Sequence, residues 1–127
     1  MGKKILIADD SAFMRMKVKE ILRGAGYEIV AEAGTGEEAL EKYKKIHPDL
    51  VTMDLVMQGK GGINAVKGIL RYDPKARVLM VSAMDQQALV VEAIQAGAKG
   101  FVVKPVDPTQ LLAETQRILG SQERVGT

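Results

Sequence analysis

Leu50-Val51-Thr52-Met53-Asp54 is a short β-type run, apolar until it stops at a carboxylate, and the loop residues Gln58-Gly59-Lys60-Gly61-Gly62 follow soon after. Three other runs end the same way. Ile5-Leu6-Ile7-Ala8 delivers Asp9-Asp10, Val78-Leu79-Met80-Val81 delivers Ser82, and Phe101-Val102-Val103 delivers Lys104-Pro105. Continuous apolarity, rather than alternation with polar residues, suits strands that are covered on both faces. If these strands are parallel, their polar ends crowd one edge of a single sheet.

The intervening segments read as helices. Asp10 or Ser11 can cap a helix whose apolar positions Met14, Val18, Ile21 and Leu22 share a face, and Gly24-Ala25-Gly26 stops it. Glu28 to Ala33 is a strand alternating enough to suggest a sheet edge, and Thr35-Gly36-Glu37-Glu38 resembles a capping box opening a helix to about Ile46. Pro48 bars further helix before the central strand. Ile63, Val66, Ile69 and Leu70 mark a third helix closed by Asp73-Pro74, and Leu89, Val90, Ala93 and Ile94 mark a fourth ending at Gly97. Asp107 caps the fifth, with Pro108 in its first turn and Leu111, Leu112, Ile118 and Leu119 as apolar positions.

Five β/α units in strict alternation imply an α/β fold, a single doubly wound parallel sheet with helices on both faces and right-handed crossovers. Ligands of such sheets bind outside the carboxyl ends of the strands, where the strand order reverses. Gly120 to Thr127 carries no apolar pattern, so the expectation is one domain over residues 1–120 and a flexible tail over 121–127.

Composition narrows the function classes. In 127 residues, 46% of them hydrophobic, one core can be buried, and the formal net charge is only +2. Lys and Arg are scattered and aromatic residues are few, which argues against nucleic acid. The absence of cysteine excludes disulfides, thiolate metal sites and cysteine nucleophiles. His47 is the sole histidine, beside Pro48, and a surface role suits it better than a triad or a zinc site. No run approaches a membrane span, and the first residues lack a signal-peptide core, so a cytoplasmic protein is expected.

Asp9, Asp10 and Asp54 decide the chemistry. Two carboxylates about 4 Å apart repel by roughly 4 kcal/mol at an effective dielectric of about 20, so three in one pocket call for a cation. All-oxygen ligation in an open site points to Mg²⁺ rather than to an enclosed Ca²⁺ cage. For an isolated Asp-Asp pair, helix capping is the simpler explanation; Ser82 and Lys104 at equivalent strand ends turn the balance. A carboxylate attacking a phosphoryl donor forms an acyl phosphate, in which a divalent ion and a lysine neutralise charge and a serine hydroxyl donates a hydrogen bond.

Asp9-Asp10, the strand-ending Asp54, Ser82-Ala83 and Lys104-Pro105, in this order and spacing, resemble the receiver domain of two-component response regulators over about Lys3 to Leu119. Asp9 to Arg15 and Ser82 to Met84 are most similar to the CheY-like, stand-alone chemotaxis regulators. The resemblance implies strand order 2-1-3-4-5. It makes Asp54 the phosphoacceptor and a metal ligand, Asp10 a direct Mg²⁺ ligand, Asp9 a ligand through water and the Val56 carbonyl a further ligand. Ser82 becomes the switch hydroxyl, Lys104 the phosphate-binding lysine with a cis bond to Pro105, and Phe101 the aromatic rotamer switch. Val56 and Met84 would flank the acceptor and limit water attack.

The resemblance also implies a phosphorelay partner, a chemotaxis-type histidine kinase, with the flagellar motor switch or a phosphatase protein as further partners and no nucleic acid or membrane. A monomer is expected, signalling through helix four, strand five and helix five, where Val90, Phe101 and Val103 could present apolar contacts. It would catalyse only its own phosphorylation and dephosphorylation. One segment departs from the family pattern: Met57-Gln58-Gly59-Lys60-Gly61-Gly62 lacks the usual proline after the acceptor strand, which predicts a more mobile loop with consequences for metal affinity.

Competing readings are weaker. Gly34-Thr35-Gly36-Glu37-Glu38-Ala39 nominally matches a dinucleotide fingerprint, but two glutamates would sit where a pyrophosphate must go, and Gly59-Lys60 lacks the remainder of a P-loop. A Mg²⁺-dependent aspartyl-phosphate phosphatase of the haloacid-dehalogenase type would carry Asp-x-Asp on its first strand. A phosphorylation-independent docking module would not need every site residue present.

Overall fold

The computed structural model describes residues 2–58 and 61–125, with side chains described up to residue 120. Its elements alternate strictly: β1 (Lys4–Ala8), α1 (Ala12–Gly24), β2 (Glu28–Ala33), α2 (Gly36–Ile46), β3 (Leu50–Asp54), α3 (Gly61–Tyr72), β4 (Val78–Ser82), α4 (Gln87–Ala96), β5 (Gly100–Val103) and α5 (Pro108–Val125). All strand pairs are parallel, in the order β2-β1-β3-β4-β5. The central run is covered on both faces, as its apolarity requires. Along β1, Ile5 and Ile7 join one core with Val18 and Leu22 of α1 and Leu111 and Leu119 of α5. Leu6 and Ala8 join the other, with Ala39 and Tyr43 of α2, Val66 and Ile69 of α3 and Val90 and Ala93 of α4. β2, read as an edge, is an edge and its residues are mostly half-buried.

Local chemistry sets the element ends. Ser11, rather than Asp10, caps α1: its Oγ accepts the Met14 N–H at 3.2 Å. Thr35 caps α2 by accepting the Glu38 N–H at 3.1 Å, but the return bond of the box is displaced by one residue, because Glu38 Oε1 accepts from Gly34 N at 2.6 Å rather than from Thr35. The turn therefore serves helix initiation. His47 ends α2 in the left-handed conformation, φ 52°, with its ring between Tyr43 and Tyr72. The backbone of α5 stays helical as far as Val125, so the stretch from Gly120 that reads as tail in the sequence continues the helix past Leu119, the last apolar core residue among the described side chains. No described helix is long and apolar enough to cross a membrane.

Register brings the polar strand ends together. Ala8 pairs with Met53, so Asp9 and Asp54 are the next residues on adjacent strands. Ser82 pairs with Val103, the last residue of β5, which places Lys104 one step beyond the end of that strand.

Candidate functional site

Asp9 leaves β1 with three of its groups already bonded. Its N–H donates to Ala33 O at 3.0 Å, its carbonyl accepts from Arg15 Nη1 at 2.6 Å, and its Oδ1 accepts from Ser11 N at 2.9 Å. The remaining Oδ2 lies 3.6 Å from Lys104 Nζ. Asp54, at the end of β3, is bound in a similar way. Its Oδ1 accepts the Val56 N–H at 3.3 Å and its Oδ2 lies 3.4 Å from the same lysine. Asp9 and Asp54 are buried and Asp10 is exposed, yet one carboxylate oxygen from each lies within 4.8 Å of the others. The Lys104-Pro105 bond is cis.

Charge is unbalanced in this cluster. Lys104 can offset only part of the charge of three carboxylates. Burial pushes Asp54 up to about 6; the neighbouring Asp9 charge adds to this, and Lys104 and the Val56 N–H oppose it. The donor set is hard oxygen, partly open through Asp10, with residual negative charge. That is the chemistry Mg²⁺ requires, and the residues present fit it.

Ser82 completes the strand-end set. Its Oγ is buried and has no hydrogen-bond partner, so a donor is held ready close to the acidic pocket. Ser82 also lines a groove of about 630 Å³ between α4 and β5, with Met84, Val91, Ile94, Phe101 and Val103 along its sides. Phe101 is 42% exposed. Val90, expected to offer an apolar contact there, is largely buried in the core from the first turn of α4 yet also lines this groove, while Val91 and Ile94 take the more exposed positions. Val56 and Met84 are both exposed at the strand ends.

Three residues acquire roles that sequence reading did not assign. Gln86 Oε1 accepts from Ala83 N at 2.8 Å and fixes the loop after Ser82. Arg15 bridges the Asp9 carbonyl and Glu32 Oε1, at 2.6 and 3.0 Å. Gly62 packs so closely under the acceptor strand that a Cβ there would lie 1.8 Å from Asp54 O. Its place in a glycine-rich loop suggests freedom, whereas its position is a steric requirement. Gly59 and Lys60, on which the expectation of a mobile loop partly rests, lie outside the described residues.

The model of the response regulator receiver domain matches residues 5–116 of this chain. The chain belongs to that family. Among curated proteins, the chemotaxis protein CheY of Thermotoga maritima is 52% identical over 93% of this chain and 98% of its own length. CheY of Bacillus subtilis is 52% identical over 94% of this chain and 99% of its own. Among solved structures, the CheX-CheY-BeF3-Mg complex of Borrelia burgdorferi matches with TM-score 0.88 and 36% identity, covering 91% of this chain and 88% of that one. The chain is thus a CheY-like receiver domain, a signalling module of two-component systems.

Proposed function

We propose that this receiver is a chemotaxis response regulator that accepts a phosphoryl group on Asp54 from a histidine kinase or a small acyl phosphate. The observation that carries this reading is the convergence of Asp9, Asp10 and Asp54 with Lys104 at one sheet edge. Asp9, Asp10, Asp54 and the Val56 carbonyl would hold Mg²⁺, which when bound offsets the charge of carboxylate and phosphoryl oxygens. In the solved complex of the Borrelia relative, CheY is accompanied by BeF3 and Mg, which supports the same chemistry here.

The chain's own residues divide the work. Asp54 Oδ2 is the nucleophile: it faces Lys104, whereas Oδ1 is tied to Val56 N–H. Lys104 moves its ion pair from the carboxylates to a phosphoryl oxygen. The Ser82 hydroxyl, without a partner in the present state, donates to another and shifts toward the pocket, and Phe101 turns inward over the space next to it. The surface of α4, β5 and α5 then presents a changed face to the flagellar motor switch or a phosphatase protein, the protein acting as a cytoplasmic monomer.

Incubation with acetyl phosphate and Mg²⁺, followed by intact-mass analysis, tests this. One labile phosphoryl group should appear, and Asp54→Asn should remove it while retaining the fold. Continuous turnover without a stable adduct would indicate a phosphatase, and no modification at all a docking module.

A further inference from the structure

We propose that Arg15 is a positioning residue for the metal site, holding the Asp9–Asp10 peptide in the one orientation that turns both carboxylates toward Asp54. This rests on the Mg²⁺ reading above and adds to it a residue that touches neither metal nor phosphate. The Arg15 guanidinium donates through Nη1 to the Asp9 carbonyl at 2.6 Å and through Nε to Glu32 Oε1 at 3.0 Å. Glu32 lies on β2 and its other oxygen takes Lys19 Nζ at 2.7 Å, while its backbone carbonyl accepts from Lys42 Nζ. The arginine is thus clamped from the sheet side and is only 21% exposed.

Geometry gives this contact its consequence. The Asp9 carbonyl belongs to the planar peptide group whose other end is the Asp10 N–H, so fixing that carbonyl fixes the direction in which the chain delivers Asp10. The N–H of Asp9 is held by Ala33 and its Oδ1 by Ser11. The turn closed by Ser11 N on Asp9 Oδ1 already restrains the torsion between the Asp9 Cα and its carbonyl, and the Arg15 bond adds the one side-chain contact made directly to that carbonyl among those described. Without it the Ser11 turn alone holds the peptide, which gains a wider range of tilt, and Asp10, exposed and with no bond of its own to hold it against the pocket among those described, moves with it. Partners that orient metal ligands typically change affinity by about 10–100-fold when removed.

Electrostatics predicts the opposite sign, which makes the proposal testable. Deleting a cation beside an acidic site should tighten Mg²⁺ binding; deleting a positioning contact should weaken it. Mg²⁺ is titrated into wild type, Arg15→Met and Lys19→Met, following the backbone amides of Asp10 and Val56 by NMR, with thermal unfolding in chelator recorded in parallel. Lys19→Met removes an equal charge from the same Glu32 but no contact to Asp9.

The expected result is an Mg²⁺ Kd about tenfold or more weaker in Arg15→Met, with Lys19→Met unchanged or tighter even where both lower Tm. An Arg15→Met Kd equal to or tighter than wild type overturns the proposal, as does equal weakening in both variants. No saturable response in the wild type overturns it together with the metal reading on which it rests.

Discussion

Asp54 carries an electrostatic penalty from its burial beside Asp9, and its sign fixes a pH dependence. Its carboxyl is raised from 3.8 to about 6, chiefly by burial and then by Asp9. A raised acid favours the protonated form, so its contribution to stability is fully present below about pH 4 and is lost as pH rises through about 6. Metal-free protein should accordingly lose on the order of 2 kcal/mol between those values from this group, and Asp54→Asn should abolish most of that loss. Urea unfolding in chelator at pH 4 and pH 6 measures it; an identical pH difference in both proteins would contradict the assignment. A neighbouring residue carries a steric prediction. Because a Cβ at Gly62 meets Asp54 O at 1.8 Å, Gly62→Ala should destabilise by about 3 kcal/mol or more and shift the Asp54 amide in NMR spectra. The helix-propensity gain of alanine, about 1 kcal/mol, is too small to offset this.

At the scale of elements, two buried hydroxyls among the described residues lack partners, Ser82 Oγ on β4 and Thr115 Oγ1 on α5, and they should behave differently. Thr115 is fully buried in the helix that packs on β5 and is not one of the residues of the acidic cluster, so its orphaned hydroxyl only costs stability. Thr115→Val keeps the shape and should raise stability by about 1 kcal/mol in denaturant unfolding, with phosphoryl uptake unchanged. Ser82→Ala should be neutral or stabilising for the fold yet slow that uptake. The strands and their polar ends were legible because parallel, doubly covered strands show as unbroken apolar runs that stop abruptly. Asp9, Asp54, Ser82 and Lys104 could therefore be placed from the chain alone. Arg15 could not: its role depends on Glu32 reaching it from β2, a contact between elements that no local pattern carries. The inward turn of Val90 was hidden for a similar reason. α4 is apolar nearly all round, so periodicity there does not say which face is covered. The helical span from Gly120 to Val125 has no apolar stripe to announce it.

For the whole molecule, Ser82 is the strand-end residue of the acidic site that also lines the α4–β5 groove, so a signal from Asp54 to the surface should pass through it. The sheet beneath is closely packed, with β3, β4 and the inner face of β1 almost wholly buried, so a graded deformation is less favourable than a two-state repacking of the groove. α4 is the element best suited to move. Its N-cap Gln86 makes no side-chain cap bond and its first turn holds no acidic residue, so its N-terminal end, next to Ser82, is weakly anchored, whereas the Lys67–Glu92 ion pair ties its middle to α3. A coupling of about 1–3 kcal/mol would change partner affinity by about 5–150-fold, and linkage requires a groove-bound partner to favour phosphoryl binding by the same factor. Addition of beryllofluoride and Mg²⁺ should therefore shift the NMR resonances of Val91, Ile94, Phe101 and Val103 in the wild type. In Ser82→Ala, Asp54 should still bind the anion, seen in the amide of Val56, while the groove resonances move much less. Groove shifts of full size in Ser82→Ala would mean that the signal leaves the pocket by another route, for which the Lys104-Pro105 segment, joining the site directly to the end of β5, is the next candidate.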